Sequence, residues 1–212
     1  MKKCIIEFIG TFFLVLTIGL TGNPLAIGAV LAAMVYMGGY VSGAHYNPAI
    51  TLGVWMQEKI SNLEAIRYVA AQLLGALGAV IAYQAIHGGK MAVHPSVDSS
   101  FIATLLVEII FTFALVSVVL HTAVSDQTKG NSYYGLAIGA VLAAAAFAGG
   151  PISGGAFNPA VGLVPNLYDW SALTYTSANL ALYFVGPFLG GLLAGVIFHS
   201  MKPRQISKVG AN

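Results

Sequence analysis

Two stretches decide the fold: Ser42-Gly43-Ala44-His45-Tyr46-Asn47-Pro48-Ala49 and Ser153-Gly154-Gly155-Ala156-Phe157-Asn158-Pro159-Ala160. Each interrupts an apolar run. Chain broken away from helix at membrane depth leaves peptide groups unpaired, and is tolerated only where it is buried in protein or lines a water-filled path. Upstream, LAIGAVLAA occurs at 25–33 and again at 136–144, and both repeats share the offset 158 − 47 = 111 without a gap. The chain is therefore read as two copies of one unit.

Composition places that unit in a bilayer. The 212 residues are 58% hydrophobic and only 8% charged, with a mean hydropathy of +0.83, against about a quarter charged residues in soluble domains. Apolar runs near 4–22, 24–42, 63–86, 100–124, 134–150 and 177–200 have the length of about 20 residues that a spanning helix needs. The expected fold is all-α: six transmembrane helices plus two half-helices, in one domain over 1–212. Repeat 1 covers about 1–86, an outer connection 87–99, repeat 2 about 100–201, and a cytoplasmic tail 202–212. Three spans per repeat is an odd number, so the second copy enters the bilayer inverted, with the functional site expected near the midplane.

Lys2, Lys3, Lys59, Arg67, Lys129, Lys202, Arg204 and Lys208 fall on one side when the spans alternate, leaving Lys90 opposite. Positive residues mark the cytoplasmic side, which puts both termini there, with 87–99 and 165–176 facing outward. Trp55, Tyr68, Tyr168, Trp170 and Tyr175 fit the aromatic belts of the two interfaces. Glu7 inside the first apolar run argues against a cleaved leader. Cys4 is the sole cysteine, so an internal disulfide is excluded.

Each Asn-Pro pair reads as a helix start, because asparagine favours the N-cap and proline the first helical position. The run from Asn47 to Trp55 offers about nine residues, roughly 14 Å, enough to reach half-way through the membrane. With the second copy inverted, two helix N-termini meet at the centre, and their partial positive charges repel cations. Asn47 and Asn158 can direct amide N–H groups at a passing oxygen. Ile27, Leu31 and Val35, like Ile138, Leu142 and Ala146, repeat at four-residue spacing and share a helix face.

These phrases, with EFIGTFFLV near the start and the ungapped repeat, resemble the aquaporins, the major intrinsic protein family, over essentially the whole chain. The resemblance implies a homotetramer with one pore per subunit, embedded in a lipid bilayer such as the cell (plasma or inner) membrane. It implies passive passage of water or small neutral solutes, with no cofactor and no nucleic-acid partner; His121 and His199 give no metal-ligand spacing and no nucleophile–base pair stands out, so neither a metal nor catalysis is expected. It assigns Asn47-Pro48-Ala49 and Asn158-Pro159-Ala160 to the pore centre, Leu31 and Leu142 to the wall beside them, and Glu7, Glu108 and His45 to bracing the broken loops. The outer filter carries over to Ile27, Ala146, Gly155 and Val161. The family usually has arginine where Val161 stands; the plant vacuolar subgroup shares the valine but commonly keeps a histidine that this chain lacks.

No side chain in that filter donates a hydrogen bond, so a wider, more apolar mouth is expected, passing water plus ammonia, hydrogen peroxide, urea or glycerol. Tyr40, Phe147 or Phe157 would narrow it if they turned inward. Two rival readings stay open: a secondary active transporter, which inverted repeats also build, and a closed-pore structural member of the family.

Overall fold

A computed structural model describes residues 1–168 and 176–201, apart from the side chains of 176–178. The expected tail 202–212, with Lys202, Arg204 and Lys208, lies outside the described residues, as do Trp170 and Tyr175. The described residues form helices α1 (Lys2–Thr21), α2 (Pro24–Ser42), α3 (Pro48–Trp55), α4 (Asn62–His87), α5 (Phe101–Val119), α6 (Tyr134–Ser153), α7 (Pro159–Tyr168) and α8 (Thr176–Met201). Six of these are long and apolar enough to cross a membrane, α5 being prolonged by a π turn at Leu120–Val124. The short α3 and α7 are the half-helices.

Local chemistry sets the boundaries. Asn23, just before Pro24, accepts from the N–H groups of Leu25 and Ala26, so α1 and α2 are joined by the two-residue turn of the left-handed Gly22 and Asn23. Ser61 and Ser100 cap α4 and α5 in the same manner. These side chains satisfy donors that a helix start leaves orphaned.

Packing repeats the sequence symmetry. α1 lies along α4 in the first half and α5 along α8 in the second, while α2 packs on α6 across the halves. Gly28 and Gly139 sit 111 residues apart, and each leaves no room for a Cβ against the other's carbonyl. Gly75 of α4 meets the Phe8 carbonyl of α1 as Gly190 of α8 meets the Ile109 carbonyl of α5. Small residues at such crossings let helix backbones touch, which drives association where lipid offers no hydrophobic gain.

One end of the molecule is basic. The N-termini of α1 and α4 lie together, tied by Lys3 Nζ to Glu64 Oε1 at 2.6 Å, and Lys59 pairs with Asp126 of the α5–α6 connection at 3.5 Å. Lys90 follows the far end of α4. Of the expected belt aromatics, Trp55 and Tyr168 are exposed, but Tyr68 is buried and donates to the Ser42 carbonyl at 2.7 Å. Its hydroxyl braces the broken loop, not the interface.

Candidate functional site

The two broken segments, residues 43–47 and 154–158, approach each other in the middle of the fold. Their backbones are strained in parallel: Gly43 and Gly154, Ala44 and Gly155, and Tyr46 and Phe157 all have positive φ. Left-handed non-glycine residues are uncommon, and at Ala44 (53°), Tyr46 (53°) and Phe157 (46°) the conformation is held by the surrounding bonds.

Those bonds account for the loop donors. Glu7 Oε1 accepts from Ser42 Oγ at 2.6 Å and from the His45 N–H at 3.0 Å, and Oε2 accepts from the Tyr46 N–H and Gln72 Nε2, each at 2.7 Å. Glu108 repeats the pattern, with Oε1 accepting from Ser153 Oγ at 2.7 Å and the Ala156 N–H at 3.1 Å, and Oε2 from the Phe157 N–H at 2.8 Å. Both carboxylates are fully buried. Peptide groups that neither water nor lipid could satisfy are thus paired from within. Tyr183 donates to the Ser153 carbonyl as Tyr68 does to Ser42.

The asparagines close the arrangement crosswise. Asn47 Oδ1 accepts from the Ala49 N–H at 2.8 Å and caps α3 behind Pro48, while its Nδ2 donates to the Phe157 carbonyl of the other loop at 2.9 Å. Asn158 Oδ1 accepts from the Ala160 N–H at 2.9 Å and caps α7 behind Pro159, and its Nδ2 donates to the Tyr46 carbonyl at 2.9 Å. One hydrogen of each amide is therefore committed to the opposite loop. A single N–H per asparagine is left for a passing molecule.

A narrow cavity of about 20 Å³ runs past these groups, close to the volume that one water centre occupies. Its walls include Ile27, Leu31, Asn47, Leu142, Gly155, Asn158 and Val161, all candidates named above, together with His45. Ala146 is not among the lining residues, and neither are Glu7 and Glu108. Tyr40 and Phe147 are exposed, whereas Phe157 is buried against Phe111 with ring centroids 5.6 Å apart. None of those three aromatics lines the cavity.

Leu14, Ile18, Ile50, Leu115 and Ala156 complete the lining, and sequence reasoning missed them. A signal existed for most. Leu14 and Leu115 each follow the buried glutamate by seven residues, two helical turns, and Ile50 follows Ala49 as Val161 follows Ala160. Ile18 has no such marker, and it adds a branched aliphatic side chain to the lining.

The ends of the passage differ. His45 also borders a vestibule of about 280 Å³ at the basic end, lined by Lys3, Lys59, Ile60, Val119 and Val124, and its Nδ1 lies 3.1 Å from Thr51 Oγ1. At the other end Val161 packs with Met91 and Val93 of the 88–100 connection, which is anchored by Asn166 Nδ2 donating to the Val93 carbonyl at 2.7 Å. Val161 there sits in a cluster of hydrophobic side chains.

The family pattern described as Major intrinsic protein matches residues 16–198. The chain belongs to the major intrinsic protein family. It is 33% identical to aquaporin AqpM of Methanothermobacter marburgensis, with 93% of this chain and 96% of that protein covered. It is 36% identical to aquaporin TIP4-4 of Zea mays, over 87% and 72% of the two chains. The X-ray structure of the aquaglyceroporin from Plasmodium falciparum superposes with a TM-score of 0.78 at 23% identity, covering 94% of this chain and 93% of that one. Similarity of this kind shows an aquaporin fold, with six membrane-length helices arranged around two half-helices.

Proposed function

We propose that this aquaporin is a passive channel for water and at least one small neutral solute of lower polarity, and that it excludes protons and ions at the paired half-helix N-termini. The observation that carries the reading is the crossed pair Asn47–Phe157 and Asn158–Tyr46, which fixes two donors and two helix N-termini beside a cavity sized for single file. Each N-terminus contributes about half a positive charge, so a cation entering from either side meets an opposing field. A water accepting from both asparagines directs its own hydrogens outward in both directions, which interrupts proton relay.

Solute choice follows from the end lined by Ile27, Gly155 and Val161. An apolar constriction without side-chain donors does not compensate the dehydration of a polyol. Selectivity then falls to diameter and to the cost of shedding water, which ranks ammonia and hydrogen peroxide above urea and glycerol. Glu7 and Glu108 brace the loops and lie outside the cavity lining, which speaks against gradient-coupled transport through a carboxylate. The basic end is assigned to the cytoplasm, and the assembly to a homotetramer in the cell membrane.

Stopped-flow light scattering on proteoliposomes tests this, with an internal pH dye for ammonia. Wild type should raise water and ammonia permeability above the lipid background, with flux linear in concentration and independent of a proton gradient. Val161→Arg should reduce ammonia flux about tenfold while water falls less than about twofold, because a fixed cation at the constriction adds donors and takes up space. Unchanged permeabilities in the variant would reject the filter assignment. Water flux at the lipid background in wild type would favour a closed-pore structural member.

A further inference from the structure

The basic end carries a second cavity, separate from the passage. It measures about 450 Å³ and lies between the starts of α1 and α4, walled by Lys2, Lys3, Cys4, Leu63, Glu64 and Arg67. Three cationic side chains face one carboxylate, and that carboxylate is already engaged by Lys3 at 2.6 Å. Lys2 and Arg67 make no ion pair or hydrogen bond among the described residues. The cavity is thus a hollow with two uncompensated positive charges.

Its surroundings are apolar and face outward. Ile5, Leu63 and Ile66 are exposed by 50%, 54% and 67% on the two helices that form the hollow, and both helices belong to the membrane-spanning set. A charged hollow at the end of two spanning helices, bordered by exposed aliphatic side chains, sits where headgroups meet acyl chains. Free cytosolic anions gain nothing from the aliphatic border, whereas a phospholipid uses both parts.

We infer that this hollow is a phosphate-group site, occupied by the headgroup of an anionic phospholipid. Lys2 and Arg67 supply the charge, Arg67 offering a planar donor fork suited to two phosphate oxygens. Basic pockets between spanning helices recognise anionic headgroups by this chemistry. Acyl chains then descend over Ile5 and Ile66.

Cys4 lines the hollow and is the only cysteine in the chain, so its reaction with an uncharged maleimide reports occupancy without reference to transport. In nanodiscs of phosphatidylglycerol, labelling of the full chain should be about tenfold slower than in phosphatidylcholine. The double variant Lys2→Gln/Arg67→Gln should lose that protection, whereas Lys129→Gln, which removes a charge outside the hollow, should keep it; size exclusion confirms that each variant is folded. In detergent, inorganic phosphate is the second arm. Protection by phosphatidylglycerol but not by phosphate supports the lipid source; equal protection by both supports a phosphate site and overturns the lipid assignment. Protection that survives Lys2→Gln/Arg67→Gln, or that is absent in phosphatidylglycerol, overturns the site.

Discussion

In the first broken loop Glu7 accepts from four donors, one of them Gln72; in the second, Glu108 accepts from three. The missing partner has a sequence cause. Tyr68 and Tyr183 play the same part 115 residues apart, and at that offset Gln72 corresponds to Pro187. The same bareness extends inward, because His45 corresponds to Ala156 and Thr51 to Gly162 at the offset of 111. Gln72 Nε2 also donates to Thr51 Oγ1 at 3.0 Å, and Thr51 meets His45, so the first half holds a connected polar chain where the second holds aliphatic packing. Both halves keep the carboxylate, the tyrosine and the asparagine cap. What the fold requires of each repeat is therefore the pairing of loop peptide groups, and the remaining positions were free to make one end of the passage polar and the other apolar.

The sharpest way to break this comparison is to neutralise each glutamate in turn. Glutamine keeps one acceptor oxygen but turns an amide toward an N–H that needs one, leaving a buried donor unsatisfied at about 1–3 kcal/mol. In the first half Gln72 Oε1 has no partner, so a flip of Gln72 can present that oxygen to the new amide. The second half offers no such neighbour among the described residues. Glu108→Gln should therefore lower the yield of monodisperse protein and its melting temperature clearly more than Glu7→Gln. Equal losses would mean that Gln72 plays no part in the brace.

A second test makes the halves more alike. His45→Ala places in the first loop the residue that the second already has at 156. It removes the contact with Thr51 and the edge-on packing of the imidazole on Tyr68, with centroids 5.1 Å apart, while the His45 N–H still reaches Glu7. The expected cost is about 1 kcal/mol, that of one side-chain hydrogen bond, with water permeability kept within about twofold if the constriction proposed at Ile27, Gly155 and Val161 sets the flux. A collapse of permeability would move the flux-limiting point to the His45 end of the cavity.

Much of this arrangement is legible in the chain, because each half repeats its signals. Spans, half-helices, the two caps and the paired glutamates follow from apolar length, Asn-Pro placement and the offset. Legibility fails where a repeated residue could serve either packing or the passage. The first helix of each half aligns at 115 − 14 = 101, ten less than the loops do, because the α5–α6 connection is longer than the two-residue turn after α1. Leu14 and Leu115 lie two turns beyond Glu7 and Glu108 at that same shorter offset, and an apolar residue on such a face packs on helices or lines a passage equally well. Tyr68 departs from the expected belt because a tyrosine near a helix end serves an interface or a buried carbonyl equally well, and only the tertiary fold decides which way it turns. The second hydrogen of each asparagine amide depended on how closely the loops meet, which no local pattern encodes.

The smallest net effect, and the most discriminating about strain, is expected for Ala44→Gly, set against Gly155→Ala. Both have left-handed backbones, at φ 53° and 69°. In Gly155→Ala the new Cβ would lie 3.2 Å from the Gly150 Cα and 3.4 Å from Phe157 Cε2, so a steric penalty joins the conformational one and the loss should be about 1–2 kcal/mol. Ala44→Gly relieves a conformational cost of about 1–2 kcal/mol. It also frees the unfolded chain by about 0.4–1 kcal/mol and removes a methyl, buried in the core cluster, worth about 0.8 kcal/mol. The three contributions nearly cancel, so the melting temperature should barely move. A clear rise would mean that the first loop carries strain its polar chain has to hold, and a clear fall that the Ala44 methyl is part of the core packing; either result would assign a cause to a place where two loops of the same backbone conformation carry different residues.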